Sequence, residues 1–255
     1  RKNEKLLQDA AKDFGVDAKA EMWRLPAPFV GEYAEKDAEM TLKLWHALQH
    51  EISKQDLWDV FNLETNLFPC LVDMKFKGVR VDAQKAMSVK AELQETEKNL
   101  MRDINKLAGF DVEIWAAASI AKAFDKEKLP YDRTEKGAPS FTKNFLATHP
   151  AELPKLINEA REINKANTTF IDTILKHEHN GRIHAEINQI RSDQGGTVTG
   201  RFSYNNPNLQ QIPARHKHLG PLIRSLFIPE EGHTWGCFDY SQQEPRILVH
   251  FASPV

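Results

Sequence analysis

The chain predicts an α+β fold, helical through most of its length and sheet-forming toward its end. Three observations carry this. Ala86, Val89, Leu93, Leu100, Ile104 and Leu107 form a long apolar stripe at helical spacing, with Lys and Glu on the other faces. Residues 1–55 repeat the same periodicity twice. Short segments with strand-like alternation, Val79–Val81 and Gly181–Ile190, and an apolar run at 233–239 mark where a sheet is built.

In chain order, Leu6, Leu7, Ala10 and Phe14 predict a first helix that Gly15 ends. A loop with Pro26 and Pro28 follows. A second helix is predicted over Val30–Ile52, where Tyr33, Asp37, Met40, Leu44 and Leu48 recur every three or four residues. Phe68–Phe76 carries a further helical repeat. Gly78 fits a turn or C-cap there, and Asp82 fits the N-cap of the long helix over Ala83–Leu107. That helix is expected to pack antiparallel on the run Leu153–Leu175. Between them, Phe110–Pro150 is rich in Lys, Asp, Glu and aromatic residues. Gly195-Gly196 break the strand that starts at Gly181. His233–Asp239 predicts a buried strand ended by Asp239, and Tyr240–Ala252 a helix.

Composition sets bounds. Hydrophobic residues make up 41% and charged residues 27%, ordinary for a globular protein, and the net charge of −2 announces no nucleic-acid partner. Local charge differs. Between Ile187 and Arg224 stand Arg191, Arg201, Arg215, Lys217 and Arg224 against Asp193 alone. Such a patch suits phosphate neutralisation, and equally a solvated surface. Cys70 and Cys237 match no metal or disulfide spacing and read as buried thiols of a reducing, cytoplasmic compartment. No apolar run approaches the ~18 residues of a membrane span. The chain opens on Arg1 without a signal-peptide pattern, so both ends are expected to be internal to a longer protein.

The residues that carry chemistry lie late in the chain. Thr199-Gly-Arg-Phe-Ser-Tyr-Asn-Asn-Pro-Asn-Leu-Gln-Gln-Ile-Pro213 is followed by Phe238-Asp-Tyr-Ser-Gln-Gln-Glu-Pro-Arg246. An Arg and a loop of amides can address acceptors of the DNA minor groove, which sit alike for every base pair. A carboxylate ending a strand is held rigidly while its oxygens stay open to a cation, although a lone Asp there is commonly a cap. Together the two segments resemble the TGR…PNLQxIP and DYSQxExR motifs of family A DNA polymerases. Gly31–Ala38 resembles the YxxxD motif of that class's 3′–5′ proofreading exonuclease. Gly78–Asp82 resembles the base of its thumb, although Lys75-Phe76 replaces the family's Glu-Arg. Gly137-Ala-Pro-Ser140 resembles its thumb tip, where a plain turn would also serve.

The resemblance implies a mainly helical exonuclease end and thumb, followed by the first part of an antiparallel palm sheet. The expected division is 1–55 as exonuclease end, 56–82 as linker and palm base, 83–176 as thumb and 177–255 as the first half of the palm. It implies DNA-templated transfer of dNTPs to a primer 3′-OH with two Mg2+ ions. Asp239 is then the catalytic metal ligand, with Tyr240 beside it. Ser241, Gln242 and Glu244 face the nucleotide, with Glu244 as steric gate. Arg201, Asn208 and Gln210 address the minor groove, and Arg215 and Arg224 meet phosphate or the template strand. Tyr33 and Asp37, on one helix face, are the exonuclease's water-orienting phenol and metal ligand, or else a solvated Asp beside a half-buried Tyr. Arg161, Lys165 and Thr168 are expected along one helix side, within reach of phosphates or simply exposed.

Gln211, Gln243 and Pro245 depart from the family pattern, and the last two leave the placement of Glu244 in question; the Gln-Gln-Glu-Pro-Arg variant points to a bacteriophage-like source. Primer–template DNA and dNTP are the expected partners; a processivity factor stays unspecified. The family's fingers helix and second palm carboxylate motif have no counterpart here, so the chain alone is expected neither to polymerise nor to degrade DNA. Three rival readings remain: a non-catalytic DNA-binding module, a nuclease built on Asp37, and, more distantly, a single-subunit RNA polymerase.

Overall fold

The computed structural model describes residues 4–192, 195–214 and 216–252. Its contacts divide the chain into two units, 1–70 and 71–255.

In the first unit, α1 (Lys5–Asp13) buries Leu7, Ala10 and Ala11 and ends ahead of Gly15, as its periodicity predicts. A short 3-10 turn, Met22–Arg24, leads into α2 (Ala27–Lys54). This helix starts earlier than expected because Pro28 fits its first turn, whose amides need no helical partner. Leu7, Ala11 and Leu25 form a small core, against which Val16, Met22, Val30 and Tyr33 pack. Along α2 and α3 (Trp58–Lys77), Trp45, Phe61 and Trp58 stack with centroids 5.4 and 5.7 Å apart. Pro69 lies inside α3, one residue before the boundary between the units.

The second unit begins at Leu71. Gly78 turns the chain from α3 into β1 (Val79–Arg80) with φ of +65°. A Cβ there would lie 2.8 Å from the Ile183 carbonyl oxygen, so glycine is required for both space and backbone. Asp82 caps α4 (Ala83–Ala108), its carboxylate accepting from the Lys85 amide at 2.8 Å. The insertion after α4 holds α5 (Ala117–Lys126), a hairpin of β2 (Asp132–Arg133) and β3 (Pro139–Ser140), and α6 (Lys143–Thr148). Gly137 thus sits in a hairpin turn.

The expected partner of α4 is present but interrupted. It comprises α7 (Glu152–Lys165), a π-helical turn at Ala166–Ile171, and α8 (Asp172–His177). The pairing is antiparallel. Ile104 and Ala108, late in α4, share an outer core with Leu153 and Ile157, early in α7. Ala86, Val89 and Leu93 share a base core with Ile163, Ala166 and Ile174. Phe124 is fully buried in the outer core, 4.8 Å from the Phe141 ring.

The remaining strands are short and antiparallel. β4 (Glu178–His179) and β1 flank β5 (Arg182–Ile183). β6 (Glu186–Asn188) pairs with β7 (Ser203–Asn205), with Ile187 opposite Tyr204. The single strand expected over Gly181–Ile190 is therefore two, serving different sheets. A 3-10 turn (Leu209–Gln211), α9 (Leu219–Arg224) and α10 (Gln243–Ala252) complete the described elements.

Three expectations fail. The buried strand at His233–Asp239 is absent: this segment is irregular and exposed, with Phe238 97% accessible. A strand needs a neighbour for its backbone groups, and none of the described segments pairs with it. Asp239 therefore follows a loop and not a strand. The final helix starts at Gln243 instead of Tyr240, because Gln242 takes a left-handed φ of +53°; Pro245 is accommodated in its first turn. Both cysteines are exposed and not buried, since Cys70 lies on an outer helix face and Cys237 in the irregular segment.

Candidate nucleic-acid interface

The interface is built on the β6–β7 hairpin. Its closing loop is pinched where the Ser192 amide donates to the Gly195 carbonyl at 2.7 Å. Gly196, at φ of +100°, lies so close to the Ile190 carbonyl that any Cβ would collide with it. The Thr197 hydroxyl then donates to the Arg201 carbonyl at 2.7 Å, which fixes the backbone from which Arg201 projects. The Arg201 side chain is 72% exposed and is paired with the carboxylate of Glu244.

Beside it, Asn208 caps the 3-10 turn, its Oδ1 accepting from the Gln210 amide at 3.1 Å. Gln210 reaches back to the hairpin. Its Nε2 donates to the Phe202 carbonyl at 3.0 Å, and its Oε1 accepts from the Tyr204 amide at 3.3 Å. A lattice of amides continues along the strands, with Asn188 Nδ2 donating to Asn205 Oδ1 at 2.8 Å and Asn206 Nδ2 to Glu186 at 3.2 Å. These polar groups hold one another in place, so the loop is presented as a rigid unit.

The other expected residues are placed unequally. Asp239, Tyr240, Ser241 and Gln242 all lie exposed in the segment that leads to Glu244. Arg224 is exposed in the last turn of α9, and Lys165 is exposed at the end of α7. Arg215 lies outside the described residues. Arg161 departs from the expectation of a cation set along the helix side. Its Nε donates to the Ile114 carbonyl at 2.6 Å, one Nη donates to the Phe141 carbonyl at 2.8 Å, and the guanidinium stacks on Trp115 at 5.1 Å. Burial pushes its pKa down. Arg161 thus ties the insertion onto α7. In the other unit, Tyr33 and Asp37 share a face of α2 and are both half-buried.

Two ion-pair groups escaped the sequence reading, because each joins residues distant in sequence with no local signal. Glu162 on α7 accepts from Lys143 at 2.8 Å and from His216 at 2.9 Å. Burial pushes the Glu162 carboxyl up, yet the hydrogen bonds from Lys143 and His216 outweigh it and hold the pKa below the ordinary range. Glu230 joins Arg182 at 2.9 Å, which lowers the Glu230 pKa and raises that of Arg182.

A magnesium ion takes about six oxygen ligands. Among the described residues no group of three or more His, Cys, Asp or Glu could hold a metal ion. Asp239 and the neighbouring Tyr240 do not complete such a site, and Glu244 is engaged with Arg201.

A hairpin-borne Arg, an ordered amide loop and an Asp-bearing segment beside a long helical pair define the class. The chain belongs to DNA polymerase family A, whose family model matches residues 83–254. It is 37% identical over 261 residues to a DNA-directed DNA polymerase of Pseudomonas phage M6, covering 98% of this chain and 39% of that protein. It is 36% identical to DNA polymerase DpoZ of Acinetobacter phage SH-Ab 15497, covering 99% and 45%. With the thermostable DNA polymerase I of Thermus filiformis it shares 34% identity, over 87% of this chain and 27% of the relative. The chain thus spans less than half the length of these relatives. Its fold matches the POL domain of Pol1 from M. smegmatis in complex with DNA primer-template and dNTP. The TM-score is 0.68 at 24% identity, over 82% of this chain and 37% of that one. None of the described helices is long and apolar enough to cross a membrane.

Proposed function

We propose that this chain supplies the primer–template grip of a DNA-templated DNA polymerase. One observation carries the reading. The TGR and DYSQ segments, which family resemblance alone connects, meet directly through Arg201 and Glu244, 43 residues apart. In this reading Arg201 probes the minor groove at the primer end. Asn208 and Gln210, already ordered, contribute from the neighbouring loop, while Arg224, Lys165 and Arg215 neutralise phosphates. Glu244 faces the sugar of an incoming dNTP, flanked by Ser241 and Gln242. The helical pair and its insertion act as thumb, and residues 177–255 as the start of a palm.

Asp239 contributes one carboxylate toward a divalent-metal site, with Tyr240 adjacent. Such ions would polarise the primer hydroxyl and bind the triphosphate, but the described residues do not complete the site. Tyr33 and Asp37 are residual exonuclease positions on the same reasoning. The chain by itself binds duplex with a recessed end and neither extends nor degrades it.

The reading is tested by fluorescence anisotropy with a labelled primer–template. Binding should weaken with salt, fall on Arg201→Ala and be indifferent to Asp239→Asn. Extension of the primer by the isolated chain with Mg2+ and dNTP would contradict the assignment of inactivity. The incomplete carboxylate set also favours a second reading, a DNA-binding module without catalysis. Restoring the longer reading frame and finding Asp239-dependent extension would eliminate it.

A further inference from the structure

The helix opposite α4 changes character at one place, and that place is chemically odd. Ala166–Ile171 is π-helical between two α-helical stretches. π-Turns inside α-helices are uncommon and often lie at functional sites. Within this turn Asn167 is 3% exposed. Its Nδ2 reaches the Lys90 carbonyl of α4 only at 3.5 Å, and its buried Oδ1 has no hydrogen-bond partner. An orphaned amide oxygen in a packed interior is costly and rare. The hydrophobic cores meet at the same level. The outer core extends no further along α7 than Ala160, the base core begins at Ile163, and Leu100 of α4 packs against both.

From these three coincident features we infer that Ala166–Ile171 is a pivot. The outer helices turn about it relative to the base, and Asn167 is the positioning residue that keeps the arrangement adjustable. The orphaned oxygen disfavours the observed packing enough that a second one competes. An apolar side chain of similar size would lock the first. The pivot also reaches the candidate interface. Thr169 and Phe170 of the π-turn line a cavity of about 200 Å3 whose opposite wall is Asn206–Leu209. Rotation at the turn therefore shifts the loop that carries Asn208. The coupling to DNA rests on the function proposed above; the pivot itself does not.

Two measurements on the whole chain test it. In hydrogen exchange without DNA, amides of 166–171 should exchange at least about tenfold faster than those at the middle of α4 and α7, and Asn167→Leu should remove the difference. Protection equal to the flanking helices in the unmodified chain overturns the pivot. In the second, Cys70 and Cys237 are replaced by Ser, and spin labels are placed at Glu127→Cys on the outer part and Ser88→Cys on the base. The distance distribution should be broad, narrow on addition of primer–template DNA, and be narrow already with Asn167→Leu. A single narrow distance in the unmodified chain overturns the inference. Should DNA fail to bind by anisotropy, the functional reading falls and the DNA-free arms still decide the pivot. Asn167→Ala and far-UV circular dichroism guard against misfolding: a folded Ala variant that also loses its orphan oxygen should exchange more slowly than the unmodified chain, and unchanged exchange counts against the proposal.

Discussion

The contact between Arg201 and Glu244 makes a quantitative demand. Before Arg201 can enter a minor groove, its guanidinium must leave the Glu244 carboxylate. Both side chains are largely exposed, 72% and 75%. Exposed ion pairs are worth about 0.2–1 kcal/mol, so releasing Arg201 costs DNA binding a factor of roughly 1.4–5. Glu244→Gln should therefore tighten primer–template binding by no more than about fivefold. Removing any carboxylate near DNA also lowers general repulsion, so the single variant is not decisive. The double-mutant cycle is. With Arg201→Ala as background, Glu244→Gln should have a clearly smaller effect. The assay is anisotropy titration at several salt concentrations, and the coupling should shrink as salt screens the pair. An equal gain from Glu244→Gln in both backgrounds would refute the idea that the carboxylate competes with DNA for Arg201.

Further outcomes are expected elsewhere. Phe124→Ala should destabilise the second unit by about 3–5 kcal/mol in urea unfolding, because it empties the centre of the outer aromatic core. Gly78→Ala should also lower the urea midpoint, since neither the positive φ nor the nearby Ile183 carbonyl tolerates a Cβ. Hydrogen bonds from Lys36 and then Lys43 bring the Glu39 carboxyl from 4.5 to about 2. Its contribution is therefore fully present above 4.5 and lost as pH falls to about 2; NMR titration should find that midpoint and see it rise in Lys36→Met. Arg161→Lys should lower thermal stability, because an ammonium cannot span the two carbonyls and the indole face that the guanidinium joins.

How much could be read in advance depends on the range of each interaction. The α4 stripe, the Asp82 cap and the Gly78 turn follow from neighbours within a few residues, and they stand as expected. The π-turn has no such signature; it arises where α4 and two cores impose competing registers on one helix. Arg161 on an amphipathic helix looks like any surface cation until the carbonyls of Ile114 and Phe141 are brought to it. The apolar run at 233–239 reads as a buried strand, yet strand formation belongs to the pairing partner as much as to the run. Family motifs located the interface. The amide bonds of Gln210, and the engagement of Glu244 with Arg201, became visible only in three dimensions.

The last helix has a practical consequence. Ile247, Leu248, Val249 and Phe251 are all outward on α10, and Phe238 and Tyr240 precede them uncovered. An oily surface of that kind drives association between molecules. Sedimentation of the purified chain should therefore grow heavier with concentration and lighten when mild detergent is added. DNA titrations belong in the dilute regime, where such clumping does not masquerade as cooperative binding.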